Sequence, residues 1–242
     1  MLLRVIDITK RFGGLIALSK INFQIEEGEV VGMIGSNGSG KTTFVNICTG
    51  FIRPEGGYVF LDEQNITRLA PHDCACLGLS RTYQTTKLFR NLSVSENMIT
   101  ANQSHYQRLS RKNAQEGIRP ILEKMDIADK ASEISGSLSL FEQKKLEIGM
   151  RLISQPKILM LDEPVGGLSP TEIEKMLTML RMLKKEINLF VIEHTMRVIF
   201  SLADRVIVLN SGNLLANGTP KEISKNQDVI DAYLGSRCNE GV

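Results

Sequence analysis

Gly35, Ser36, Asn37, Gly38, Ser39, Gly40, Lys41 and Thr42 follow the spacing GxxxxGK(S/T), and the chemistry open to that spacing is the capture of a polyphosphate. The glycines let the backbone curl so that successive N–H groups and a helix N-terminus surround anionic oxygens. Lys41 adds a full positive charge near the β and γ phosphates, and the Thr42 hydroxyl suits Mg2+, a hard cation that prefers oxygen ligands. A second constellation is Asp162 and Glu163 after the apolar run Ile158–Leu161. Strand side chains alternate between faces, so only the end of a strand aims two successive carboxylates at one site. Asp162 then suits the shell of a metal ion, and Glu163 suits the polarisation of a water that attacks the γ phosphate.

These groups need elements to hold them. Val30–Ile34 reads as a strand running straight into the glycine cluster, and Thr43–Thr49 as a helix stopped near Gly50, which gives the order strand, phosphate loop, helix. Leu3–Ile8, Ile21–Ile25 and Tyr58–Leu61 read as early strands, with turns at Gly13–Gly14 and at Pro54–Gly57. Ile158–Leu161, Leu189–Ile192 and Val206–Leu209 alternate with helical stretches such as Pro170–Lys185, which predicts parallel strands covered by helices on both faces. Between about 90 and 153 the strand signal disappears. That block, with candidate helices at Ser93–Met98, Gln115–Met125 and Ser139–Ile153, reads as a helical insertion.

Composition narrows the classes. The 242 residues are 42% apolar, enough for one domain with a sizeable core. Lys and Arg number 29 against 27 Asp and Glu, a net charge of +2 that excludes a polyanion-coating surface, so nucleic acid is not an expected partner. No apolar run approaches the ~18–20 residues of a membrane span, and the opening Met1-Leu2-Leu3-Arg4 lacks the pattern of a secretory signal, so a cytoplasmic location is expected. Cys48, Cys74, Cys76 and Cys238 are too scattered for a disulfide framework and read as ordinary thiols. The basic cluster Arg108, Arg111 and Lys112 reads as a solvated helix face, and His72 and His105 as surface residues.

The two phosphate motifs alone indicate only an NTPase. Gln84 in RTYQTTKLF, the stretch LSLFEQKKLEI from Leu138 to Ile148, LMLDEP from Leu159 to Pro164 and His194 in VIEHT stand in the order and spacing of ATP-binding cassette (ABC) proteins, which the chain resembles over nearly its whole length. The resemblance implies a single nucleotide-binding domain over 1–242, of the α/β class. It has a P-loop, RecA-like core at 1–89 and 154–242, an N-terminal antiparallel β element, and an inserted α-helical subdomain over about 90–153. It implies ATP and Mg2+ as ligands. Phe12 would stack on adenine, Gln84 would sense the γ phosphate and the attacking water, and His194 would hydrogen-bond the γ phosphate. The same resemblance places Thr43 with the nucleotide-binding residues and Gln84 beside Thr42 and Asp162 at the metal.

Ser139 begins a capping box, Ser139-Leu140-Phe141-Glu142. In ABC proteins this helix end faces the nucleotide of a second protomer, usually with the sequence LSGGQ, whereas leucine and phenylalanine stand here at 140 and 141. A ring at Phe141 is expected to weaken that contact. Gly166-Gly167-Leu168-Ser169 likewise lacks the usual D-loop aspartate. RTYQTTKLFRNLSVSEN, EPVGGLSPTE and the ending NGTPKEI followed by DVIDAYLG resemble the ATPases of branched-chain or hydrophobic amino acid importers, and lipopolysaccharide-export ATPases share a similar tail. The implied partners are transmembrane permease subunits, a second ATP-binding subunit in a homo- or heterodimer, and indirectly a solute-binding protein. The implied location is the inner face of the cell membrane, with Lys87, Leu88 and Phe89 as candidate contacts to the permease. Alternatives from other classes are a soluble cassette that clamps DNA or the ribosome, and a small-molecule kinase. The first is disfavoured by the absence of a paired cassette or basic tail, the second by the set Gln84, Ser139 and His194.

Overall fold

The computed structural model describes residues 1–101 and 111–232, with the side chains of 111–116 excepted. Two sheets form the framework. The first comprises β1 (Leu3–Phe12), β2 (Leu15–Ile25), β4 (Gly56–Leu61) and β5 (Gln64–Asn65), antiparallel in the order β2-β1-β4-β5. The second contains β3 (Val30–Gly35), β6 (Leu79–Arg81), β7 (Ile158–Asp162), β8 (Asn188–Ile192), β9 (Arg205–Asn210) and β10 (Asn213–Gly218), in the order β10-β9-β3-β8-β7-β6. All its neighbours pair parallel except β10 on β9.

The continuous apolar runs of β3, β7, β8 and β9 arise because both faces of this sheet are covered. Alternation sends Val30, Ile34, Leu159, Leu161, Leu189, Val191, Val206 and Val208 to one core cluster. The residues between them, Val31, Met33, Ile158, Met160, Phe190, Ile192, Ile207 and Leu209, go to the other. The second cluster is shared with the antiparallel sheet and with helix α1 (Lys41–Cys48), where the rings of Phe23, Phe44 and Phe190 meet with centroids 5.8–5.9 Å apart. The first cluster is shared with helices α3 (Val94–Ala101), α4 (Arg111–Lys124), α5 (Leu140–Leu152), α6 (Pro170–Leu183) and α7 (Met196–Leu202).

Every strand expected from the sequence is present, and β1 and β2 extend further than expected into a hairpin turned at Gly13. Among its described residues the block between β6 and β7 holds helices joined by loops and no strand, apart from an isolated bridge between Ser93 and Ile134. Helix α2 (Pro71–Cys76) and the three-residue strand β6 were not expected, because Leu79-Ser80-Arg81 carries too short an apolar run to read as a strand. Short helix α8 (Pro220–Ile223) closes the second sheet's β10 side. Arg108, His105 and Cys238 lie outside the described residues, as do the side chains of Arg111 and Lys112.

Register sets the site. Met33 on β3, Ile192 on β8 and Asp162 on β7 lie level, so these three strands release Gly35, Glu193 and His194, and Glu163 side by side at one carboxyl edge. That edge is where open parallel sheets present ligand-binding loops.

Candidate nucleotide site

A cleft of about 760 Å³ opens at this edge. Its walls include Phe12 and the Gly14–Ala17 turn of the first sheet, Asn37 to Thr43, Gln84, Glu163, His194 and Ser211. The phosphate loop can curl as it does only because of its glycines. At Gly35 a Cβ would come within 2.4 Å of the Leu209 carbonyl oxygen. At Gly40, where φ is +107°, it would come within 2.5 Å of the Ala17 carbonyl oxygen. Lys41, which begins α1, turns its ammonium back onto the loop and donates to the carbonyl oxygens of Gly35 at 2.7 Å and Ser36 at 2.9 Å. Burial pushes its pKa down, and the carboxylates of Glu163 and Asp162 push it back up. Ser39 Oγ is buried and has no protein partner, a donor available to an anion in the loop. Thr42 is exposed on the cleft wall and Thr43 half-buried beside it.

Across the cleft Glu163 holds the central place. Gln84 Nε2 donates to its Oε2 at 3.0 Å, and its Oε1 contacts His194 Nε2. Its backbone is in the left-handed region, φ +52°, which turns its side chain out of the strand. Asp162 lies behind the cleft wall, 5% exposed, with Oδ2 3.3 Å from Arg81 Nη2 and its own amide donating to Thr82 Oγ1 at 3.2 Å. Burial pushes its carboxyl up, opposed by Arg81. Phe12 stands at the rim, 48% exposed, with Lys10 Nζ 5.4 Å from its ring centroid, so it is no core aromatic. Among the described residues no group of three or more His, Cys, Asp or Glu is placed to hold a metal by itself. A hard cation held by a hydroxyl, a carboxylate and the ligand's own oxygens fits the residues present better than an all-protein cage.

Most of the expected site residues therefore face one cleft: Phe12, Asn37, Gly38, Ser39, Gly40, Lys41, Thr42, Thr43, Gln84, Glu163 and His194. Gly35, Ser36 and Asp162 stand behind its lining. Ser139 is elsewhere. It N-caps α5, accepting from the Glu142 amide at 3.3 Å while Glu142 Oε2 accepts from the Ser139 amide at 2.8 Å and hydroxyl at 2.9 Å. Phe141 differs from expectation. Its ring is turned into the helical core, 9% exposed and covered by Lys145 Nζ at 4.6 Å, so it does not stand over the helix end. Leu140 is the exposed residue, 44% exposed, with Cδ2 reaching over Gly167, where an added Cβ would come within 3.0 Å. At the position lacking the D-loop aspartate, Ser169 N-caps α6.

Several buried polar residues around the site carry no sequence signal. Arg81, 7% exposed, joins Asp162 to Asn46 Oδ1 on α1 at 2.6 Å and lies 4.7 Å from the Tyr83 ring centroid. Lys144 and Glu147 on α5 and Glu193 beyond β8 are equally hidden. Only burial distinguishes them from ordinary surface charges, and periodicity does not report it.

Comparison with known proteins agrees with this geometry. The ABC transporter family matches residues 18–166, and the branched-chain amino acid ATP-binding cassette transporter C-terminal family matches 213–238. The high-affinity branched-chain amino acid transport ATP-binding protein BraF of Pseudomonas aeruginosa is 39% identical, over 97% of this chain and 98% of its own. LivG of Escherichia coli, a protein of the same description, is 36% identical with the same coverage. An ATP-binding cassette of an ABC transporter, solved in its ADP conformation, superposes with a TM-score of 0.87 at 28% identity, over 97% of this chain and 98% of that one. The chain therefore belongs to the ABC transporter family, and it is an ATP-binding and ATP-hydrolysing cassette.

Proposed function

We propose that this cassette powers the uptake of branched-chain or other hydrophobic amino acids, and that Glu163 activates the water that attacks the γ phosphate of ATP. The observation that carries the hydrolytic reading is the Glu163 carboxylate, held between Gln84 and His194 on the cleft that the Lys41 loop lines. Lys41 and the loop amides of Gly35 to Thr43 bind the phosphates. Phe12 stacks on the adenine from the rim. Gln84 orients the attacking water, Glu163 takes up its proton, and His194 hydrogen-bonds the γ phosphate. Thr42, Gln84 and Asp162 would hold a magnesium ion, which would supply charge neutralisation at the phosphate oxygens. Residues 1–89 and 154–242 form the catalytic core and about 90–153 the helical subdomain.

The amino acid reading is supported by the described relatives BraF and LivG, by the match at 213–238, and by their nearly full coverage of both chains. No described helix is long and apolar enough to cross a membrane. In this reading the cassette works with transmembrane permease subunits, a second cassette and, indirectly, a solute-binding protein, as the transport ATPases it resembles suggest. Phe89, 53% exposed beside Gln84's loop, suits contact with the permease. Closure of two cassettes on ATP then changes the access state of the membrane subunits, and hydrolysis reopens the pair. Lys41→Ala in the native host tests the assignment. Loss of leucine, isoleucine and valine uptake is expected, and uptake at the wild-type rate would overturn it.

A further inference from the structure

Lys144 and Glu147 lie three residues apart on α5, on one face of the helix that Ser139 caps, and both are buried, at 6% and 2% exposure. Neither touches the cleft. Lys144 Nζ donates at 2.8 Å to the backbone carbonyl of Glu163, which also accepts the Gly166 amide at 3.1 Å. Glu163 holds a left-handed backbone at φ +52°, a conformation that is strained in a residue with a Cβ and persists only where its surroundings enforce it. Glu147 Oε1 accepts the Lys87 amide at 3.2 Å. Lys87 lies three residues after Gln84, so this carboxylate anchors the loop that carries Gln84. The Gln84–Glu163 pair, joined at 3.0 Å, is thus tied on each side to the same helical turn.

We infer that Lys144 and Glu147 are positioning residues for hydrolysis, the first fixing the backbone of Glu163 and the second the loop of Gln84. They make α5 the rigid arm by which displacement of its Ser139 end reaches the water-activating pair. This rests on the reading of Glu163 as the water-activating residue. Lys144 faces the carboxylates of Glu193, Glu147, Glu163 and Asp162, so charge balance is the rival account of its burial.

The test is steady-state ATP hydrolysis by the full chain. Lys144→Met and Glu147→Ala should each lower kcat about tenfold or more while KM for ATP stays within about twofold, since a misplaced reacting group costs rate and not ground-state binding. Glu147→Gln, which keeps an acceptor for the Lys87 amide, should recover most of the rate. Assayed at a pH above the Glu193 titration, Lys144→Met combined with Glu193→Gln removes one charge of each sign and tests whether charge balance alone explains the single variant. It should stay slow if fixing the Glu163 carbonyl is what matters. On a Glu163→Gln background, Lys144→Met should cost no more than about twofold further. Wild-type kcat in Lys144→Met or Glu147→Ala, KM rising in step with any fall in kcat, or full recovery in the charge-balanced variant would overturn the inference. A wild-type rate in Glu163→Gln alone would instead overturn the reading on which it rests.

Discussion

Around Lys41 and around Ser139 the same chain treats two glycine-loop or helix-end motifs differently. The Lys41 loop keeps its glycines, leaves Ser39 Oγ without a protein partner and faces an open cleft. The Ser139 helix end spends its polar groups on itself: Glu142 occupies both the amide and the hydroxyl of Ser139 and pairs with Lys130 at 3.2 Å. Its next residues are apolar, Leu140 resting on Gly167 and Phe141 sunk in the core. Donors free in the folded chain are available to a ligand, whereas donors already satisfied must be released first. We infer from the unpaired Ser39 hydroxyl and the open cleft that the Lys41 loop is the binding half, and that the Ser139 end must release its own bonds before it can complete a partner's site.

The largest effect that would sharpen this contrast is on stability. Phe141→Gly empties a core position and should cost about 3–5 kcal/mol in chemical denaturation, as deletion of a buried aromatic does. A faster ATPase with unchanged stability would show that the ring blocks an interface instead. Next is Lys41→Ala, which should weaken ATP binding by about 1.5–3 kcal/mol, roughly tenfold to a hundredfold, measured by calorimetry with magnesium. Equal affinities would break the claim that this loop is the binding half. Ser139→Ala should cost about 1 kcal/mol of stability, the worth of an N-cap, and should leave ATP binding by the isolated chain unchanged.

The finest test uses pH. Burial pushes the Glu193 carboxyl above the ordinary glutamate range, so the folded chain retains a proton there that the unfolded chain has already released. Stability from this group accordingly falls as pH rises from the ordinary glutamate range through the folded value, and the loss is complete above it. Glu193→Gln should flatten that part of the urea-midpoint profile, and an unaltered slope would contradict the assignment.

The sequence disclosed the strands of the parallel sheet because burial on both faces writes continuous apolar runs, as in Ile158–Leu161. It disclosed the phosphate loop and the acidic pair because their chemistry demands residue types at fixed spacing. It did not disclose Leu79–Arg81, three residues with one apolar member, whose strand character comes from pairing with β7. Nor did it show that Phe141 points inward while Leu140 points out, since successive helical residues differ by about 100° and only the neighbouring elements say which direction is buried. Lys144, Glu147 and Arg81 were invisible for a related reason: a charged residue is buried by its partners, and those partners lie up to 81 residues away, as Asp162 does from Arg81.

The central claim, that the cleft holds ATP for attack by a water which Glu163 activates, is tested most directly by ATP retention and phosphate release in Glu163→Gln with magnesium. The expected result is bound ATP at wild-type affinity with phosphate release slowed about 10²–10⁴-fold, the contribution of a positioned general base. Phosphate release at the wild-type rate would contradict it.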